Sequence, residues 1–212
     1  MHDSYISSIA SEANEKRISN FVYQHGGNAP TSYDDVLIQY LRDKKRNVAK
    51  REFFVLHMLG SHFTYTKRYP KGTGVHPSPV TRVNEYDNSI AYTDKVLEGI
   101  FNYFGSTNAL IIFIADHGQV VSNSKFGHGF NNPNYQEEYE APLFVYSTVT
   151  NHRLKEFHET YKNRAINLEN LNEYILNIVR DEYEEPSLST TVISIDPNNL
   201  VDYAKMSPFN AE

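Results

Sequence analysis

The run Ala109-Leu110-Ile111-Ile112-Phe113-Ile114-Ala115 constrains this chain more than any other feature. It reads as a hydrophobic strand, and it stops on Asp116-His117-Gly118. That puts two hard-metal ligands at a strand end, where an open α/β sheet keeps its active site. A third candidate, His128, follows in Gly127-His128-Gly129. An earlier strand, Phe53-Phe54-Val55-Leu56, ends on His57, with His62 just beyond it in His57-Met58-Leu59-Gly60-Ser61-His62.

The length of 212 residues is enough for a single domain, 1–212, with a real core. The net charge of −6 gives no electrostatic reason to expect nucleic acid as a partner. There is no Cys, which excludes a disulfide framework and thiolate metal sites. No apolar run exceeds the length of a strand, so none is long enough to span a membrane. The start, Met1-His2-Asp3-Ser4, has no signal-peptide pattern.

Helical periodicity over 5–20 and a loop over 24–31 precede a helix that Ser32 can cap, with Asp34 and Asp35 in its first turn and Val36, Leu37, Tyr40 and Leu41 as its buried stripe. Phe53–Met58 alternates little, which suits a strand buried on both faces. A Pro- and Gly-bearing loop covers 63–82. The next helix spans roughly 84–104, with Ile90, Val96, Leu97, Ile100, Phe101 and Phe104 inward. Strand 109–115, a polar loop over 119–140 and strand 141–146 follow. Leu168, Leu171, Tyr174, Ile175 and Ile178 mark a last long helix, and Thr190–Ile195 a short strand. This alternation predicts an α/β fold in three layers, a mostly parallel sheet flanked by helices. Right-handed crossovers would then set His57 and Asp116-His117 on one sheet edge.

Cleaving a phosphate or sulfate ester requires neutralised oxygens and a nucleophile that is available at neutral pH, and zinc held by imidazole and carboxylate supplies both. Asp116, His117, His57, His62 and His128 offer one carboxylate and up to four imidazoles, a mix suited to Zn²⁺ rather than Ca²⁺. The set is too small to close two sites. The structural rivals stay open: a strand-end turn for Asp116-His117, a loop histidine for His128, and core or loop histidines for His57 and His62. Lys67-Arg68 is read either as an anion contact or as a solvated loop pair, and Asp87 and Asp94 as structural.

Six motifs occur in order: His57-Met58-Leu59-Gly60-Ser61-His62, Arg68-Tyr69-Pro70, Tyr86-Asp87-Asn88-Ser89-Ile90 with Tyr92-Thr93-Asp94, Asp116-His117-Gly118, His128-Gly129, and Ala141-Pro142-Leu143. Over about residues 30–180 the chain resembles the phosphoethanolamine transferases of the sulfatase group in the alkaline phosphatase superfamily. The resemblance implies the C-terminal part of a periplasmic catalytic domain in a bacterial inner-membrane protein. That protein would move phosphoethanolamine from phosphatidylethanolamine to an envelope glycan or lipid, as in lipopolysaccharide modification. It implies one or two zinc sites, incomplete here, with Asp116 and His117 as metal ligands. His57, His62 and His128 would hold the substrate phosphate or a second metal. A Thr nucleophile would form a covalent phosphoenzyme.

The family's Thr nucleophile and a zinc-binding Glu lie well upstream of the first His motif, and none of the 56 residues before His57 has that context. The expectation is a fold incomplete at its N-terminal side, no catalytic nucleophile in this chain, and no turnover by it alone. A homodimer or the missing N-terminal half would cover the exposed sheet edge. Gln119 stands where many members carry Glu, and the stretch between Arg68-Tyr69-Pro70 and Tyr86 lacks the Cys-containing insertion of the lipid A enzymes. Two other classes compete: a sulfatase, phosphodiesterase or phosphoglycerol transferase relative, and a truncated non-catalytic relative that binds metal or an anion.

Overall fold

The computed structural model describes residues 33–44, 52–129, 135–162, 166–179, 191–193 and 200–202. The expected helix over 5–20, the loop over 24–31 and the cap at Ser32 lie outside these residues. Helix α1 is Val36–Asp43 and α2 is Arg82–Phe104. Strand β1, Leu110–Ile114, is followed by two short strands, β2 Val120–Val121 and β3 Phe126–Gly127, and by β4, Leu143–Ser147. Helices α3, His152–Tyr161, and α4, Leu171–Val179, follow, then β5 Thr191–Ile193 paired with β6 Leu200–Asp202.

The centre is three layers, and the strand period of two builds it. Ile111 packs with Leu41, Val96, Ile100 and Phe104 under α1 and α2. On the opposite face of the same strand, Leu110 packs with Phe157, Tyr161, Tyr174 and Ile178 of α3 and α4. β4 divides in the same way. Val145 joins the α3–α4 side, while Phe144 and Tyr146 meet Phe101 of α2 at ring separations of 6.2 and 5.3 Å. Thr81 caps α2 by accepting the Asn84 amide at 3.2 Å, as an N-cap Thr should. Gly99 lets α1 sit close on α2, because a Cβ there would run into the Ile38 side chain.

The layers match the α/β expectation, but among the described residues every strand pair is antiparallel rather than parallel. Leu110 lies opposite Ser147 and Ile114 opposite Leu143. Parallel neighbours need a crossover helix. Between β1 and β4 the described residues hold only the β2–β3 hairpin and a single 3-10 turn, Gln136–Glu138, so the chain returns as a wide hairpin.

Three further expectations are corrected. Phe53–Met58 is extended but lies in no ladder among the described residues, and its burial alternates. Phe54, Leu56 and Met58 pack on the α1–α2 core, while Phe53 and Val55 are 89% and 77% exposed. Ile90 is exposed, because it falls on the outer side of α2. The residues between β4 and Leu168, to which the sequence assigned no element, contain α3, which Asn151 caps by accepting the Leu154 amide at 2.9 Å and whose Phe157 and Tyr161 form part of the core. The long last helix is a 3-10 turn, Leu168–Asn170, followed by α4. Among the described residues no helix is long and apolar enough to cross a membrane.

Candidate metal centre

Strand β1 delivers Asp116 and His117 to the sheet edge. The Ala115 amide donates to the Pro142 carbonyl at 3.2 Å, and the Gly118 amide to that of Glu138 at 3.0 Å. Gly118 lies in a backbone slot, where a Cβ would collide with the carbonyl oxygens of Glu137 and Glu140. The 135–140 segment that walls the slot is itself pinned by Glu138. This buried residue accepts the Tyr135 amide on Oε1 at 3.2 Å. Asp116 is 89% exposed, and its Oδ1 accepts the His117 amide at 3.1 Å. His117 Nδ1 donates to the Gly118 carbonyl at 2.7 Å, which leaves the lone pair on Nε2, 3.8 Å from Asp116 Oδ1.

The β2–β3 hairpin brings His128 back to this corner, and the two imidazole rings lie 3.9 Å apart. Ser122 closes the turn, its Oγ accepting the Lys125 amide at 2.8 Å. Arg82, at the start of α2, holds the hairpin from outside. Its guanidinium lies 3.5 Å over the Phe126 ring and donates to the Asn123 carbonyl at 3.4 Å.

His62 arrives on a loop hung from side chains. The two carboxylate oxygens of Asp34 accept the Leu59 and Gly60 amides at 2.9 and 2.8 Å. On the other side, Gln119 Nε2 donates to the Ser61 carbonyl at 3.4 Å. His62 Nδ1 donates to the Phe63 carbonyl at 2.6 Å, which again leaves the lone pair on Nε2. The electrostatics tie the group together. Burial pushes the His128 imidazole below its ordinary pKa, and the charges of His117 and His62 push the same way. Asp116 and Glu138 oppose them.

Of the five candidates, Asp116, His117 and His128 are neighbours, and His62 lies within electrostatic reach of His128. His57 does not join them: its exposed side chain is on the same outer face as Phe53 and Val55. Arg68 turns inward rather than to solvent. Burial lowers its pKa, the Asp34 charge offsets this, and its Nε donates to the Thr64 carbonyl at 3.3 Å. Asp87 meets His76 at 3.2 Å, in line with a structural role.

The donor chemistry fits zinc: one carboxylate and three imidazoles, two of them held by backbone carbonyls in the tautomer that offers Nε2. The set is not closed. Among the described residues no group of three or more His, Cys, Asp or Glu side chains is placed to hold a metal ion. Sequence reasoning missed Asp34, Glu138 and Arg82 as supports of this site. Asp34 looked like a helix-dipole acid, and no spacing announces a partner 25 residues away.

The comparisons agree with this architecture. Residues 2–178 match the Sulfatase family. The chain belongs to that family. A Kdo(2)-lipid A phosphoethanolamine 7''-transferase of Salmonella typhimurium is 27% identical over 132 residues, covering 56% of this chain and 23% of the relative. The phosphoethanolamine transferase EptA of Helicobacter pylori is 28% identical over 174 residues, covering 74% and 33%. The sulfatase-family chain thus spans about a quarter to a third of the length of these curated relatives. The zinc complex of the C-terminal periplasmic domain of EptC from Escherichia coli superposes with a TM-score of 0.64 at 18% identity, over 88% of this chain and 61% of that domain. The fold is therefore the alkaline phosphatase/sulfatase-like one.

Proposed function

We propose that this chain is the C-terminal part of a zinc-dependent phosphoethanolamine transferase. The whole protein would carry phosphoethanolamine from phosphatidylethanolamine to a glycan or lipid of the bacterial envelope, on the periplasmic side of the inner membrane. The grouping of Asp116, His117 and His128 at the end of β1, with His62 in electrostatic reach of His128, carries this reading. The names of the relatives, one of which acts on lipid A, supply the reaction class.

Asp116 and His117 would hold zinc, which supplies Lewis-acid neutralisation of a phosphate oxygen when bound. His62 and His128 would bind the phosphate or complete a second site. Burial pushes the His128 pKa down, which favours the neutral imidazole with its lone pair. His57 keeps its proposed contact with substrate phosphate only if substrate reaches the Phe53–Val55 face.

Alone, these residues should not turn over. None of the 56 residues before His57 has the sequence context of the family's Thr nucleophile. The exposed Phe53 and Val55 suit cover by the rest of the catalytic domain or by a second copy.

Zinc titration by calorimetry tests the metal reading. Binding should weaken about tenfold or more in Asp116→Ala and in His117→Ala. A chain with no affinity for zinc would favour the non-catalytic relative in its anion-binding form. Turnover of p-nitrophenyl phosphate that disappears in Asp116→Ala would refute the inactivity. The family match leaves sulfate ester hydrolysis as the second reading. Cleavage of p-nitrophenyl sulfate in preference to the phosphate by the whole protein would select it.

A further inference from the structure

Gln119 joins three segments that are far apart in sequence. It follows the Asp116-His117-Gly118 corner directly. Its Nε2 donates to the Ser61 carbonyl, one residue before His62. Its side chain also hydrogen-bonds the Tyr86 hydroxyl on α2. Burial raises the pKa of that hydroxyl, and the Gln119 bond acts against the rise. The Tyr86 ring is in turn fixed edge-on against Tyr65 at 5.2 Å, in the segment that leaves His62.

The amide matters because of what it faces. Ser61 presents a carbonyl oxygen, which needs a donor. A carboxylate at position 119 is acceptor-only when ionised, so it would set oxygen against oxygen at this contact. Asp34 holds the other side of the same loop through Leu59 and Gly60. With Asp34 alone, the loop is anchored two residues before His62 and released at Ser61.

We infer that Gln119 is a positioning residue that fixes His62 at the metal-binding corner, using Tyr86 as its anchor. This rests on the metal-site reading above, and it adds that the two halves of the donor set are coupled through one amide. Gln119 itself donates nothing to the metal.

The test is a zinc titration on four proteins: the intact chain, Gln119→Glu, His62→Ala and the double variant. Expected is a cost of about tenfold for His62→Ala in the intact chain and less than about threefold in the Gln119→Glu background. Equal costs in both backgrounds overturn the coupling, as does tighter zinc binding by Gln119→Glu.

A chain that binds no zinc at all removes the metal reading, and a metal-free measurement then decides the positioning by itself. The His62 amide donates to the Leu59 carbonyl at 3.2 Å. Its hydrogen exchange should quicken about three- to tenfold in Gln119→Glu, and in Tyr86→Phe should Gln119→Glu fail to fold, with exchange in β1 unchanged. Unaltered exchange at His62 overturns the proposal.

Discussion

The two segments that carry the candidate metal donors are fixed by opposite means. The Asp116-His117-Gly118 corner is held by backbone: a strand ladder, two amide–carbonyl bonds and a slot that only a glycine fits. The His62 loop is held by side chains: both oxygens of Asp34 on one flank and the amide of Gln119 on the other. Backbone fixation depends on shape and tolerates no added atom. Side-chain fixation depends on two residues 25 or more positions away, and it fails when either loses its polar atoms. A site built this way keeps one half rigid and lets the other half be set by few substitutions.

Gly118→Ala is the strongest attempt to break that contrast. The new Cβ would meet two carbonyl oxygens, neither of which can move without unseating the 135–140 turn and its Glu138 pin. Overpacking of this kind costs about 3 kcal/mol or more where backbone is the obstacle. Urea unfolding should show that loss, together with loss of zinc binding. A cost under about 1 kcal/mol would mean the corner is no more rigid than the loop.

Asp34→Ala should cost less and act locally. It strips two amides of a charged acceptor, worth about 2 kcal/mol, because hydrogen bonds to charged groups exceed neutral ones. Asp34→Asn keeps one acceptor and turns an NH₂ toward the other amide, so it should recover at most about half of that. Hydrogen exchange should rise at Leu59 and Gly60 while β1 stays protected. Equal loss of protection in both places would show the loop and corner to be one cooperative unit and end the distinction.

The same contrast explains what the sequence disclosed. The strand 110–114 and its corner were legible because the apolar run, the Asp-His pair and the glycine are adjacent, and adjacency is what periodicity reads. The α2 stripe of Val96, Ile100 and Phe104 was legible for the same reason, whereas Ile90 fell on the outer side of that helix. Asp34 was read as an acid in the first turn of a helix that in fact begins at Val36, because its partners come from another segment. The antiparallel return of β4 was hidden by its connection: a hairpin pairing Val120 with Gly127 has too few residues to show alternation. Phe53–Met58 looked evenly apolar, since Phe53 and Val55 are as hydrophobic as the buried Phe54 and Leu56. Composition does not distinguish a strand buried on both faces from one with an exposed apolar face.

The smallest expected effect concerns the loop's exit. Among the described residues Ser61 Oγ, Tyr65 OH and Arg68 Nη1 are buried without a hydrogen-bond partner, and all three belong to the side-chain-hung segment. No side-chain atom of the 115–120 corner shares that condition among the described residues. Tyr65→Phe removes one such hydroxyl while keeping the ring that meets Phe63 and Tyr86, so stability at pH 7 should stay within about 1 kcal/mol of the parent or rise slightly. The difference should grow with alkalinity. Burial raises the Tyr65 hydroxyl from 10.0 to about 12, with Tyr86 adding to the rise and Arg82 opposing it. The folded state therefore favours the neutral phenol. Its contribution is fully present below pH 10.0 and is lost as the pH climbs through about 12, where the unfolded chain has already released the proton. Urea titrations between these pH values should show the parent losing stability faster than Tyr65→Phe. Parallel pH profiles would mean that the Tyr65 phenol ionises in the folded state as readily as in the unfolded chain, so that its burial costs the loop nothing.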